Sequence, residues 1–160
     1  MRKKKSLKGL DGIYVVVEDL GPEVKGAVTR RQLRENVEAR LQMAGIRILK
    51  EKEAAKTIGK PYLYVNVGAL PMGEKRFACR VDIEFHQLVT LIGDSSKGHA
   101  ITWDEGIIAV GDITTIYDHV NDLVFDFIYD YLAVNPSRRK PNSPKSVTPK
   151  RGPSSPPGKP

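Results

Sequence analysis

Apolar and polar residues alternate with a period of two over two long stretches in the middle of the chain. Residues 62–70 alternate strictly, and residues 76–85 repeat the pattern after the turn-forming sequence PMGEK. A period of two places alternate side chains on opposite faces of a strand, so the two stretches predict an antiparallel hairpin. The alternation slips near residues 86–87, which predicts a β-bulge. Further strands are predicted over residues 13–20, 46–50 and 100–106.

Earlier in the chain, the residues after Val28 follow helical periodicity instead. Thr29 and Gln32 have the T-x-x-Q spacing of a capping box, in which each side chain satisfies a backbone N–H group at the start of a helix. Gly45 stands where a left-handed C-terminal cap belongs. The apolar residues between these two signals follow helical spacing: Leu33, Val37, Leu41 and Ala44. We therefore predict a helix over residues 30–44.

A second, longer helix is predicted after Asp112, which is a suitable N-cap residue. Apolar residues recur at helical spacing from Ile113 to Tyr131, and Pro136 ends the pattern because the residue before a proline avoids helical geometry. Opposite this stripe lie four aspartates at a spacing of four: Asp118, Asp122, Asp126 and Asp130. A ridge of cation ligands is one interpretation. We favour a solvent-exposed helix face, because acids on successive turns do not converge on one ion.

The order β-α-β-β-β-α, to which residues 100–106 add one more strand, predicts an α+β domain, a two-layer sandwich with two helices on one face of a mixed four- to five-stranded sheet. The opposite, open face is the predicted binding surface, since tyrosines beside charged groups suit protein recognition. Its residues are Tyr14, Tyr62, Tyr64, Asn66, Arg80, Asp82, Glu84 and His86. A merely solvated sheet face is the alternative, because tyrosine also favours strands.

The formal net charge of +7 is distributed unevenly along the chain. Residues 11–135, the predicted domain, contain all 19 acidic residues but only 14 of the 26 basic ones. Residues 1–10 form a basic segment predicted to be flexible, and residues 136–160 form a tail predicted to be disordered, with eight of the eleven prolines. Binding of nucleic acid or another polyanion is therefore an alternative for the tails only, through Arg138, Arg139, Lys140, Lys145, Lys150 and Arg151. A tether or a solubilising tail is the favoured interpretation of residues 136–160.

Few residues point to catalysis. The single cysteine, Cys79, lies in phase with the apolar strand face, which predicts a buried thiol and excludes an internal disulfide. Glu84 and His86, with His99 as a third ligand, are the best candidates for a metal site, although their spacing matches no metal-binding motif. We predict a protein that is not an enzyme and has no cofactor. No apolar run reaches the length of a transmembrane helix.

Five segments form a recognisable combination: KGLDGIYVVVEDLGPE, TRRQLRENVEARLQMAGIRIL, KPYLYVNV, TW and DLVFDFIYDYLAVNP. Together they resemble an uncharacterised family of small, usually exported bacterial proteins with one α+β domain that ends near this Asn-Pro. The resemblance implies a periplasmic or cell-envelope location, and no catalytic residue carries over from it. The basic start of this chain is not followed by the apolar stretch of a signal peptide, so a cytoplasmic location is the alternative.

The element order is also similar, at the level of fold alone, to the small α+β domain of Tol-type periplasmic proteins. Our leading hypothesis is a non-catalytic module of the bacterial envelope that binds another protein or a second copy of itself. The first alternative is a cytoplasmic binder of nucleic acid or another polyanion that acts through the basic tails. The second is a metal-dependent hydrolase that uses Glu84 and His86.

Overall fold

The structure, a computed structural model, describes residues 3–136. Four strands form one sheet in the order β1-β2-β3-β4, and they are β1 (Tyr14–Val17), β2 (Tyr62–Gly73), β3 (Arg76–Thr90) and β4 (Lys97–Gly111). The first pair is parallel and the other two are antiparallel. The α-helices are α1 (Pro22–Lys25), α2 (Arg30–Met43), α3 (Glu51–Ala54) and α4 (Ile116–Val134). The predicted α+β class with a mixed sheet is confirmed.

The start and end of α2 follow the local signals in the sequence. The Thr29 hydroxyl accepts a hydrogen bond from the Gln32 amide at 3.1 Å, and the Gln32 side chain accepts one from the Thr29 amide at 3.1 Å. At the other end Gly45 has a φ of 82°, a conformation that favours glycine. The predicted capping box and left-handed cap are therefore both confirmed.

The last helix begins slightly later than the sequence predicts. Asp112 accepts a hydrogen bond from the Thr114 amide at 2.8 Å and caps a 3-10 turn, Ile113–Thr115, which leads into α4. Three of the four aspartates on α4 are exposed, as predicted. The exception is Asp130, which is half-buried and accepts a hydrogen bond from the indole nitrogen of Trp103 at 3.1 Å.

Helices α2 and α4 pack on one face of the sheet and form the core with it. The apolar stripe of α2 contributes Leu33, Val37 and Leu41, all fully buried. Phe127 of α4 contacts two aromatic rings of the sheet, Phe85 with 5.5 Å and Trp103 with 5.1 Å between ring centres. Burial of such large apolar side chains is the main stabilising contribution to a domain of this size. The predicted two-layer arrangement follows from this core.

Several strand predictions need correction or extension. The strand predicted over residues 13–20 is shorter, since β1 ends at Val17. Residues 46–50 do not form a strand, because only Ile48 bridges to Ile13 before Lys50 turns the chain into α3. The sheet therefore has four strands. Both β2 and β4 continue beyond their predicted ends, to Gly73 and Gly111. The predicted bulge is confirmed, since the register between β3 and β4 shifts between Phe85 and His86.

Residues 3–10 of the basic N-terminal segment are part of the folded structure. We predict residues 1–10 to be flexible from their charge, whereas Lys3–Leu7 forms a 3-10 helix and both Leu7 and Leu10 are buried in the core. Asn135, at the end of α4, accepts a hydrogen bond from the Gly9 amide at 2.8 Å and donates one to the Leu7 carbonyl at 2.9 Å. Apolar burial and these two hydrogen bonds outweigh the repulsion between the lysines. The predicted disordered tail lies outside the described residues, apart from Pro136.

Candidate functional site

The open face of the sheet carries all eight residues predicted for it. Burial alternates along β1, β2 and β3, so that the side chains between the fully buried positions lie on the face away from α2 and α4. The strand register aligns them in rows across the sheet. The rows are Tyr14–Tyr62–His86, Tyr64–Glu84, Asn66–Asp82 and Gly68–Arg80. The structure thus brings these residues together on one surface about four rows long.

At one end of this surface the rings of three neighbouring strands form an aromatic cluster, composed of Tyr62, Tyr64, His86 and His99. Tyr62 stacks on His86 with 4.7 Å between ring centres and an angle of 8°. Tyr64 contacts the edge of His86 at 5.8 Å, and His99 lies 5.9 Å from Tyr62. Stacked and edge-on rings fix one another's orientation, so this end of the face presents a preformed surface.

Two carboxylates hold the aromatic cluster in place. Glu84 contacts the Nε2 atom of His86 at 2.9 Å. The Tyr64 hydroxyl donates a hydrogen bond to Glu18, which lies just after β1. This hydrogen bond raises the pKa of Tyr64 to about 12 and lowers the pKa of Glu18. The phenol is therefore neutral at physiological pH, which favours a role in hydrogen bonding and stacking over one as a nucleophile.

Tyr14 lies at the β1 edge of the open face, beside the first turns of α2. The guanidinium of Arg34 lies over its ring, 5.1 Å from the ring centre, which is a favourable cation–π distance. Arg30 donates a hydrogen bond from Nε to the Val17 carbonyl at 2.7 Å. A groove of about 360 Å³ between β1 and α2 is lined by these two arginines, Arg31 and β1. Arg30 thus occupies part of the place of a further strand at this edge.

The middle of the open face holds a charged pair on β3. Nε of Arg80 lies 2.6 Å from Oδ2 of Asp82, a close ion contact, although that oxygen is buried without a well-aligned hydrogen bond. The Asp82 side chain lies directly over Gly106 of β4, where a Cβ atom would meet Oδ1 at 2.7 Å. Glycine at position 106 therefore makes room for the carboxylate.

The other end of the open face is an apolar patch, composed of Leu70, Ala78, Ile108 and Val110. Leu70, Ala78 and Val110 form one row across β2, β3 and β4, and Ile108 lies beside Arg80 in the next row. The side chains of Leu70 and Ile108 are 70% and 77% exposed, which is unusual for large apolar residues that line one groove of a sheet. A groove of about 380 Å³ runs between them, with Gly68 in its floor.

The prediction of the open face omitted this apolar patch. Ile108 and Val110 lie in the part of β4 that extends past residue 106, where the predicted strand ended. The signal was present in the sequence, as an uncharged GIIAVG run between Glu105 and Asp112. Leu70 also had the correct parity for the open face, since it is separated from Tyr62 by an even number of positions.

The structure places the candidate metal-binding and catalytic residues as follows. Glu84 and His86 form a hydrogen-bonded pair, and His99 contacts Tyr62. Among residues 3–136 no group of three or more histidine, cysteine, aspartate or glutamate side chains has the arrangement of a metal site. Cys79 is buried as predicted, and burial raises the pKa of its thiol. The predicted polyanion-binding residues lie outside the described part of the chain and are Arg138, Arg139, Lys140, Lys145, Lys150 and Arg151.

Comparisons with known proteins identify no function for the chain, so its function is argued from the open face. A scan against protein-family models finds no match for the chain, and no curated protein matches its sequence. The resemblance to exported bacterial proteins therefore stays a prediction. Within residues 3–136 no helix combines the length and the apolar character needed to cross a membrane.

Proposed function

We propose that the protein is a non-catalytic interaction module of the bacterial envelope that binds a protein partner through the open face of its sheet. The observation that carries this proposal is the apolar patch at one end of that face. Contiguous exposed apolar side chains cost solvation free energy in an isolated protein, and they mark interaction sites when a polar surface surrounds them. Leu70, Ile108 and Val110 are all exposed, and the Arg80–Asp82 pair borders them.

The composition of the rest of the open face supports a protein as the partner. Protein interfaces combine apolar contacts with aromatic residues and arginine, because rings supply contact area at a small cost in side-chain entropy. The aromatic cluster, Arg80 and the apolar patch lie on the same three strands. A surface of this length matches a protein or an extended peptide better than a small molecule, which prefers one deep pocket.

The envelope location rests on the resemblance to exported bacterial proteins. Part of that resemblance is the ending YLAVNP, and Asn135 within it ties the end of α4 to the N-terminal segment through hydrogen bonds. Fractionation of the cells that produce the protein, with intact-mass analysis of its N-terminus, tests the location separately from the binding. A periplasmic, processed protein is expected, and a cytoplasmic protein that starts at Met1 would contradict this part of the proposal.

Site-specific photo-crosslinking in living cells tests the binding surface. A photoreactive amino acid replaces Leu70 in one variant and Ile58 in the control. Both side chains are highly exposed, but Ile58 lies in the loop between α3 and β2 and outside the apolar patch. We expect a discrete crosslinked protein from position 70 and none from position 58. Equal products from both positions, or none from position 70, would refute the open face as the binding surface.

A further inference from the structure

The two outer strands of the sheet are protected unequally against further strand pairing. An exposed strand edge presents unpaired N–H and C=O groups that can pair with another chain, and proteins usually cover or blunt such edges. On β1, Ile13 pairs with the segment that contains Arg47 and Leu49, and Arg30 binds the Val17 carbonyl. The β1 edge is therefore blunted at both of its ends.

The first half of the β4 edge is covered by the N-terminal 3-10 helix. Lys3 donates a hydrogen bond from Nζ to the Asp104 carbonyl at 2.6 Å, and Ser6 donates one to the Thr102 carbonyl at 3.1 Å. Both carbonyl groups therefore point away from β3, towards the outside of the sheet. These contacts prevent another strand from pairing with this half of β4.

The second half of the β4 edge has none of these protections among the described residues. Backbone groups alternate in direction along a strand, so Gly106, Ile108 and Val110 point their N–H and C=O groups outward, like Asp104. The run from Gly106 to Gly111 contains no charged residue and no proline. Its large side chains are exposed on both faces of the sheet, Ile107 on the helix side and Ile108 on the open side. A long, apolar, uncovered edge of this kind is a surface for strand pairing.

From this geometry we infer that a second copy of the chain pairs its own β4 antiparallel to this edge and joins two sheets into one of eight strands. The inference rests on the proposed role as an interaction module and names one of its partners. A two-fold arrangement is natural here, because antiparallel pairing of identical strands brings the same surface of each copy together.

One register pairs the outward-facing main-chain N–H and C=O groups of Gly106, Ile108 and Val110. When Ile108 lies opposite Ile108 of the second copy, Gly106 of each copy lies opposite Val110 of the other. The three pairs together form about six main-chain hydrogen bonds. On the helix side Ile107 then faces Ala109. Every side-chain contact in this register is apolar or involves glycine. A shift by one hydrogen-bonded pair would require either Asp104, whose carbonyl is already bound by Lys3, or Asp112, which caps the next turn.

The ends of the paired segment are also compatible in charge. Asp112 follows the paired run in one copy, and Asp104 precedes it in the other, so the two acids approach each other at the limit of the ladder. Lys3, which contacts both Asp104 and Glu105, supplies a positive charge at the same place. The N-terminal 3-10 helix thus both stops the ladder and offsets part of the acidic charge at its end.

A charge-swap experiment tests the edge pairing and its register. The full-length chain and its I108K and I108E variants are compared by sedimentation equilibrium over a wide concentration range. We expect the wild-type chain to reach twice its mass of 17.8 kDa. Each variant alone should dimerise at least about tenfold more weakly, because two like charges lie directly opposite each other. An equal mixture of I108K and I108E should recover dimers, because opposite charges then meet.

Two controls separate this inference from the proposed function. I58K adds a lysine at an isoleucine that is even more exposed than Ile108 and lies in the loop between α3 and β2, and L70K changes the open face on β2, two strands from the β4 edge. Both should dimerise like the wild-type chain. A wild-type monomer at every concentration, a dimer that resists I108K, or a mixture that stays monomeric would each overturn the edge pairing. Crosslinks from position 70 to another protein would still support the proposed function in all three cases.

Discussion

Replacing Asn135 by alanine gives a direct measure of how the chain termini hold the domain together. Asn135 is 93% buried, since 7% of its surface is exposed. Its amide nitrogen donates hydrogen bonds to the carbonyls of Leu7 and Tyr131, both at 2.9 Å, and its oxygen accepts one from the Gly9 amide at 2.8 Å. Alanine removes all three hydrogen bonds and leaves the carbonyl of the buried Leu7 without this partner in the interior.

The expected loss follows from the number and the burial of these hydrogen bonds. Each intramolecular hydrogen bond contributes roughly 0.5–1.5 kcal/mol, and an orphaned buried group costs more than the lost bond alone. The Tyr131 carbonyl keeps a partner, because the Asn135 backbone amide also donates to it at 3.1 Å. We therefore expect N135A to lower the free energy of unfolding by about 2–4 kcal/mol.

Urea unfolding followed by far-UV circular dichroism measures this loss, and a double-mutant cycle assigns its cause. Deletion of residues 1–9 removes both N-terminal partners of Asn135, so N135A should cost less than about 1 kcal/mol in the shortened chain. The control is N121A, which removes one half-buried hydrogen bond to Asn36 and should cost at most about 1 kcal/mol. A loss below about 0.5 kcal/mol, or an equal loss with and without residues 1–9, would refute the role of Asn135 as the link between the termini.

Two further predictions concern the open face. G106A should destabilise the fold by about 1–3 kcal/mol in thermal unfolding, because its Cβ atom would meet Asp82 at 2.7 Å. G68A, on the same face with open space around it, should have little effect, and equal losses would contradict this account. The hydrogen bond to Glu18 raises the pKa of Tyr64 from 10.0 to about 12, so its contribution to stability is complete below about pH 10 and is lost as the pH rises towards 12. Denaturant unfolding should therefore show a steeper loss for the wild-type chain than for Y64F in this range, and parallel pH profiles would refute the assignment.

Local signals in the sequence were sufficient for much of the fold. The capping box of Thr29 and Gln32 and the glycine at position 45 define the ends of α2 through contacts within a few residues. The alternation in β2 and β3 assigns each side chain to a face, because a period of two is a property of the strand itself. The eight predicted residues of the open face were placed correctly for this reason.

The remaining features depend on contacts between distant parts of the chain. Residues 46–50 have strand-like composition, but pairing requires a partner that stays alongside, and α3 turns the chain away after Ile48. Two hydrogen bonds of Asn135 join it to Gly9 and Leu7, which lie 126 and 128 positions earlier in the sequence. No periodicity in the sequence reveals such contacts. The apolar patch also depends on register, because it forms only when Leu70 and Val110 align with Ala78.

The size of the native protein in fresh cell extract tests the central claim, that the open face binds a protein partner. Size-exclusion chromatography with immunodetection compares the wild-type chain with L70K, whose substitution lies in the apolar patch on β2, two strands from the β4 edge. We predict that the wild-type chain elutes in a larger assembly and that L70K elutes at a smaller size. A wild-type chain that elutes at its own mass of 17.8 kDa, or an L70K chain that elutes with the wild type, would contradict the account.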